Sequence, residues 1–162
     1  MDVSEYPVHL EPLPLGGTLE AALAGRSADG PSVTLGEVSG ITVFADRELL
    51  GRIAANLLDN SRKYGGEDVQ ITISARETET LAEITFADDG AGVPEEQLPK
   101  LFDAFYRGDA ARAQPGNGSG LGLAVVKKAV EEMGGGVRAE NGENGGLNVI
   151  FTLPLAKGEN DA

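Results

Sequence analysis

Three polar residues in one segment have the types and spacing to hold a charged ligand. Asn56, Asn60 and Lys63 fall at about 0°, 40° and −20° on a helical wheel turning 100° per residue. Leu49, Ile53, Leu57 and Tyr64 form an apolar stripe beside them. The polar three therefore rim a buried face and look along one surface. Amide oxygens are hard donors that suit Mg²⁺, an ion that keeps several waters and takes substrate phosphate oxygens. An ammonium suits the phosphates themselves. An amphipathic helix with a polar edge explains the same residues without any ligand.

Two further groups carry chemistry. Asp88-Asp89-Gly90-Ala91-Gly92-Val93-Pro94 directly follows an alternating apolar segment. A carboxylate at a strand end accepts from an exocyclic amine such as adenine N6, and Gly90 and Gly92 permit close approach of a ligand. A tight turn with solvated acids is the plainer alternative. Gly116-Asn117-Gly118-Ser119-Gly120-Leu121-Gly122-Leu123 opens a helical pattern. Free N–H groups at a helix start favour phosphate, although glycine-rich helix starts also occur with no ligand. No Gly-Lys-Ser/Thr is present, so this is no P-loop. Leu123 stands where the last glycine of G-x-G-x-x-G belongs, which removes that motif too.

The elements that must position these groups follow from periodicity. Residues 6–16, with Pro7, Pro12 and Pro14, predict an extended lead-in. A short helix is expected near 17–25, then short strands at 32–37 and 41–45. Asp46 is placed to cap a long helix to about Tyr64, stopped by Gly65 and Gly66. Alternation predicts strands at 69–75, 82–86, 137–140 and 147–153. Helical spacing runs from Glu95 to about Phe105 and from Leu121 to Met133. Residues 107–120 are small, polar and glycine-rich, as in a flexible loop. The order predicts an α/β fold, one mixed sheet with helices on one face. Residues 1–16 read as a linker, 17–156 as the domain and 157–162 as a tail.

Composition narrows the function. With 162 residues the chain is long enough for one domain with a real core. A net charge of −13 makes the chain a poor binder of nucleic acid or an anionic membrane by bulk charge, so any anion site is built locally. The absence of cysteine removes disulfides and thiolate chemistry, and a single histidine, His9, leaves no multi-histidine metal centre. No run approaches 18 apolar residues, and Met1-Asp2-Val3-Ser4-Glu5 lacks a signal-peptide pattern. The chain reads as soluble and made in a reducing compartment, and it could be a soluble piece of a larger membrane protein.

Taken in order, the groups resemble a known family. Asn56-Leu57-Leu58-Asp59-Asn60-Ser61-Arg62-Lys63-Tyr64 is similar to the N box of bacterial sensor histidine kinases. Asp88 to Gly92 resembles their G1 box, Leu101 to Asp109 their F box and Gly118 to Leu123 their G2 box. The chain is thus identified as resembling the catalytic and ATP-binding domain of these kinases, within the gyrase–Hsp90–kinase–MutL ATPase superfamily. The resemblance implies a Bergerat-fold two-layer α/β sandwich with ATP between helices and a flexible lid. By the same resemblance Asn60 ligands Mg²⁺, with Asn56 assisting, and Lys63 touches phosphate. Tyr64 packs near adenine or ribose. Asp88 accepts the adenine amine, and Gly90, Gly92 and Val93 line the base. Phe102 and Phe105 anchor the lid, and Arg107 reaches the γ-phosphate. Gly118, Ser119, Gly120, Leu121 and Gly122 meet the phosphates. Ser61 replaces the usual alanine as a small, neutral change, Ala91 replaces a frequent proline, and Leu147 stands where small hydroxyl residues are common.

The resemblance also separates reaction classes. Hydrolytic relatives carry a glutamate one turn before the metal asparagine. Here that position is Asn56, which is no base, so the site holds ATP for an external nucleophile. His9 has no following acid and no uninterrupted helix, so it is not the acceptor. The implied partners are a separate dimerisation and phosphoacceptor domain and a response regulator, with neither nucleic acid nor membrane contacted directly. An ATP-switched binding module, or an anti-sigma-like serine kinase of the same fold, is the alternative; a gyrase-like hydrolase is a third.

Overall fold

The computed structural model describes residues 7–24, 32–38, 40–66, 68–103, 122–143 and 145–156. Its longest helix, α2 (Arg47–Gly65), shows how local sequence sets an element. Asp46 Oδ1 accepts from the Leu49 N–H at 3.0 Å, as an N-cap does. Glu48 lies in the first turn and Arg62 and Lys63 in the last, complementing the helix dipole. Gly66, at φ 92°, ends the helix and returns its N–H to the Arg62 carbonyl. Leu49, Leu50, Ile53, Ala54, Leu57 and Leu58 are all buried. The apolar face is thus wider than one stripe, as a helix packed on two neighbours requires. Those neighbours are α1 (Leu15–Ala24) and α3 (Gly122–Glu132).

The helices cover one face of a five-stranded sheet in the order β2-β4-β5-β7-β6. Its strands are β2 (Ser32–Leu35), β4 (Gln70–Glu77), β5 (Leu81–Asp88), β6 (Val137–Asn141) and β7 (Leu147–Pro154). Among the described strands only β2 and β4 pair in parallel, so the sheet is mixed, as expected. Strict alternation along β5 buries Ala82, Ile84, Phe86 and Asp88. Phe86 meets Phe151 of β7 with ring centroids 6.0 Å apart. The opposite face carries the charged residues, with Ile150 buried among them. There Arg76 Nε donates to Glu83 Oε1 at 3.0 Å, and Arg138 lies 3.7 Å from Glu83 Oε2. The Arg76 hydrogen bond, with Arg138 alongside, holds the Glu83 carboxyl below its ordinary range.

Two expectations change. The proline-rich lead-in is extended, and from residue 11 onward it is a paired strand. Glu11–Pro14 forms β1, paired antiparallel with β3 (Thr42–Ala45), and Leu13 and Leu15 are wholly buried. The His9 backbone N–H donates to Asp46 Oδ2 at 2.8 Å, tying the segment to the α2 cap. The helix expected over 95–105 is a 3₁₀ helix, Glu95–Lys100, followed by turns. Pro99 inside it has no N–H, and its ring opposes a regular α-helix there. No described helix is long and apolar enough to cross a membrane.

Candidate functional site

The last residue of β5 organises the site. Asp88 is only 8% exposed, yet it is a carboxylate, and a buried carboxylate needs hydrogen-bond donors. It has three among the described residues. The Gly90 N–H reaches back to Oδ1 at 3.0 Å, closing a tight turn on the aspartate's own side chain. The Leu147 N–H, from the start of β7, meets the same Oδ1 at 3.0 Å. From the opposite side the Ser61 hydroxyl of α2 donates to Oδ2 at 3.0 Å. Three elements therefore converge on one side chain.

Glycine makes that convergence possible. Gly146 has φ 82°, and a Cβ there would overlap the Asp88 carbonyl. The β6–β7 connection lies against the β5 end only because no side chain intervenes. Gly92, at φ 75°, is equally constrained: a Cβ would lie 2.6 Å from Asn141 Oδ1. Asn141 clamps the same turn from β6. Its Oδ1 accepts from the Val93 N–H at 3.1 Å, and its Nδ2 donates to the Val93 carbonyl at 2.7 Å. Val93 is buried, so the turn after Asp88 is pinned at both ends. Asp89 serves the sheet instead. It exchanges bonds with Gln70, through its side chain at 2.8 Å and its N–H at 3.1 Å.

The polar edge of α2 meets this cluster through Ser61. Asn60, the residue before it, is 8% exposed, and Asn56, one turn earlier, is half-buried. Lys63 is half-buried near the C-terminal end of the helix. Asn60, Ser61, Asp88, Gly90, Gly92 and Val93 are thus gathered around one end of the sheet. The Asn56 and Asn60 amide oxygens, a turn apart on one edge, are hard neutral donors. They fit a Mg²⁺ that keeps most of its water and phosphate ligands.

Tyr64 lies within α2, but its side chain is outside what is described. Phe102 is half-buried and packs against the core. Gly122 is the first residue of α3. Phe105, Arg107, Gly118, Ser119, Gly120 and Leu121 lie outside the described residues. His9 is exposed, and its ordered contact is through the backbone.

Sequence reasoning missed three contributors. Ser61 is not the neutral change expected, because its hydroxyl grips Asp88. Leu147 lacks a hydroxyl but contributes its backbone N–H to the same carboxylate. Asn141 carried only a local turn signal in Asn141-Gly142, with nothing to mark Val93 as its partner.

Residues 45–157 match the family model of histidine kinase-, DNA gyrase B- and HSP90-like ATPases. The histidine-protein kinase BaeS of Escherichia coli is 37% identical over 153 residues, covering 93% of this chain and 32% of BaeS. The chain therefore spans about a third of that relative's length. Among solved structures, the mycobacterial sensor histidine kinase MprB superposes with TM-score 0.72 at 29% identity, covering 91% of this chain and all of the other. The ATP-binding domain of PrrB from Mycobacterium tuberculosis superposes with TM-score 0.73 at 25% identity, covering 91% of this chain and 98% of the other.

Proposed function

Because this chain belongs to the histidine kinase-, DNA gyrase B- and HSP90-like ATPase family, as the ATP-binding catalytic domain of a sensor histidine kinase, we propose that it binds Mg·ATP and passes the γ-phosphate to a histidine on another domain. The carrying observation is Asp88. A buried carboxylate with three donors already in place keeps lone-pair capacity for one more, and the amine of adenine is that donor. Gly90, Gly92 and Val93 let the base lie against the turn. Asn60 is the metal ligand and Asn56 its companion on the same edge, with Lys63 toward the phosphates. Arg107 and the run from Gly118 to Gly122 complete the phosphate site by their sequence pattern. Bound Mg²⁺ would neutralise charge on the β- and γ-phosphates.

Transfer then depends on positioning more than on acid–base chemistry. Asn56 stands where a water-activating glutamate would have to be, so ATP waits instead of hydrolysing. The acceptor is a histidine of a separate dimerisation domain, and a response regulator takes the phosphoryl group onward, which places the domain where cytoplasmic ATP is available. The folded unit includes β1 as well as residues 17–156, since Leu13 and Leu15 belong to its core. The test is to incubate the chain with a histidine-kinase acceptor domain and γ-labelled ATP. Acid-labile label on the acceptor is the expected result. Tight nucleotide binding with no transfer to any matched acceptor favours a binding module, and rapid turnover by the chain alone favours a hydrolase.

A further inference from the structure

We propose that Ser61 is a positioning residue that sets the base selectivity of the site, by fixing the plane of the Asp88 carboxylate and leaving a single acceptor position on it. The inference rests on the reading of Asp88 as the acceptor of a base amine. A carboxylate offers about four lone-pair positions, two per oxygen. The Gly90 and Leu147 N–H groups occupy Oδ1, each at 3.0 Å. Ser61 occupies one position on Oδ2 at 3.0 Å. Among the described residues one position remains, on the oxygen that shares the Ser61 side of the group. Two bonds to Oδ1 hold that oxygen but let the plane pivot about it. A third bond, to the other oxygen and from a different element, removes the pivot.

The hydroxyl also sets the polarity of the opening. Ser61 is 7% exposed and has one hydrogen, which it donates to Asp88. Its remaining lone pairs accept only. Asp88 and Ser61 together therefore present acceptors and no donor, which favours a 6-amino purine and repels a 6-oxo purine. Helix formation does not explain the residue, because alanine at a mid-helix position is the better helix former. Nor does the hydroxyl turn back onto the helix, as serine often does; it reaches 27 residues ahead to Asp88.

The experiment titrates the full chain and its Ser61→Ala variant with ATP and with purine riboside triphosphate, the same nucleotide lacking the 6-amine, in the presence of Mg²⁺. The variant is expected to lose about tenfold in ATP affinity, the scale of one well-aligned bond to a charged acceptor. Binding of the amine-free nucleotide is expected to stay within about twofold, since a bond the ligand cannot make is not lost. Ser61→Thr, which keeps the hydroxyl, is expected to retain the preference for ATP. Equal loss on both nucleotides, or no loss on ATP, overturns the assignment. If the unmutated chain itself binds the two nucleotides equally, Asp88 is not an amine acceptor; that result refutes the underlying reading directly and removes this one with it.

Discussion

Replacing Asp88 by asparagine changes one atom of the side chain and inverts what the site presents to a base. The amide oxygen can stay on the Gly90 and Leu147 N–H groups, both 3.0 Å from Oδ1 in the native protein. The amide nitrogen then takes the place of Oδ2, and the Ser61 hydroxyl, 3.0 Å away, rotates to accept from it. All partners are kept, so the fold loses only the difference between charged and neutral acceptors, about 1–3 kcal/mol in total. Nucleotide binding changes more sharply. On the proposed assignment of Asp88 to the 6-amine, its acceptor becomes a donor, and loss of one charge-assisted bond of about 1.5–3 kcal/mol should weaken ATP about 10- to 150-fold. Inosine triphosphate, whose 6-oxo group accepts, should bind the variant better than it binds the native chain. Calorimetric titration of both proteins with both nucleotides reads this directly, with thermal melting to confirm the fold. A folded variant whose ATP affinity falls less than about threefold, or whose ATP and inosine triphosphate affinities fall together, refutes the assignment of Asp88 to the base.

Other perturbations probe separate parts of the molecule. Asn60→Ala should weaken Mg²⁺-dependent ATP binding by at least the roughly tenfold seen when even an outer-shell metal partner is lost. ATP binding in excess chelator should change far less, and equal effects with and without metal would remove Asn60 as a ligand. Asp46→Ala removes both the α2 cap and the acceptor for His9, in a residue 2% exposed; a loss of about 2–3 kcal/mol is expected by urea unfolding. Asp46→Asn keeps the cap and should recover about half of it. Glu83→Gln should cost about 0.5–1 kcal/mol at neutral pH, the worth of a surface ion pair with exposed arginines. The Arg76 hydrogen bond holds the folded carboxyl below the ordinary glutamate range, so its contribution is full above the unfolded value and disappears as pH falls through the folded one. Stability curves of the two proteins that stay parallel into strong acid would exclude Glu83 as the source.

What could be read along the chain was whatever a short stretch of residues decides alone. Alternation in Ala82-Glu83-Ile84-Thr85-Phe86 marks a half-buried strand because side chains on a strand face opposite sides in turn. Asp46 before Arg47 and Gly66 after Gly65 mark the ends of α2, because caps are made by neighbours in sequence. The Asn56, Asn60 and Lys63 edge follows from helical pitch. Tertiary structure decided the rest, because those contacts join residues far apart along the chain. Ser61 meets Asp88 across 27 residues, Asn141 meets Val93 across 48 and Leu147 meets Asp88 across 59. A serine on a helix carries no mark of the carboxylate it will face, and a glycine such as Gly146 does not announce which backbone it must let pass. Proline misled in two ways: Pro12 and Pro14 suggested a mere lead-in, yet β1 pairs with β3 at an edge where the missing N–H groups are tolerated. Pro99 turned an apparent α-helical period into a 3₁₀ helix. Local sequence chose the elements and the residues on each face; only the closing of the sheet against α2 chose which of those residues touch.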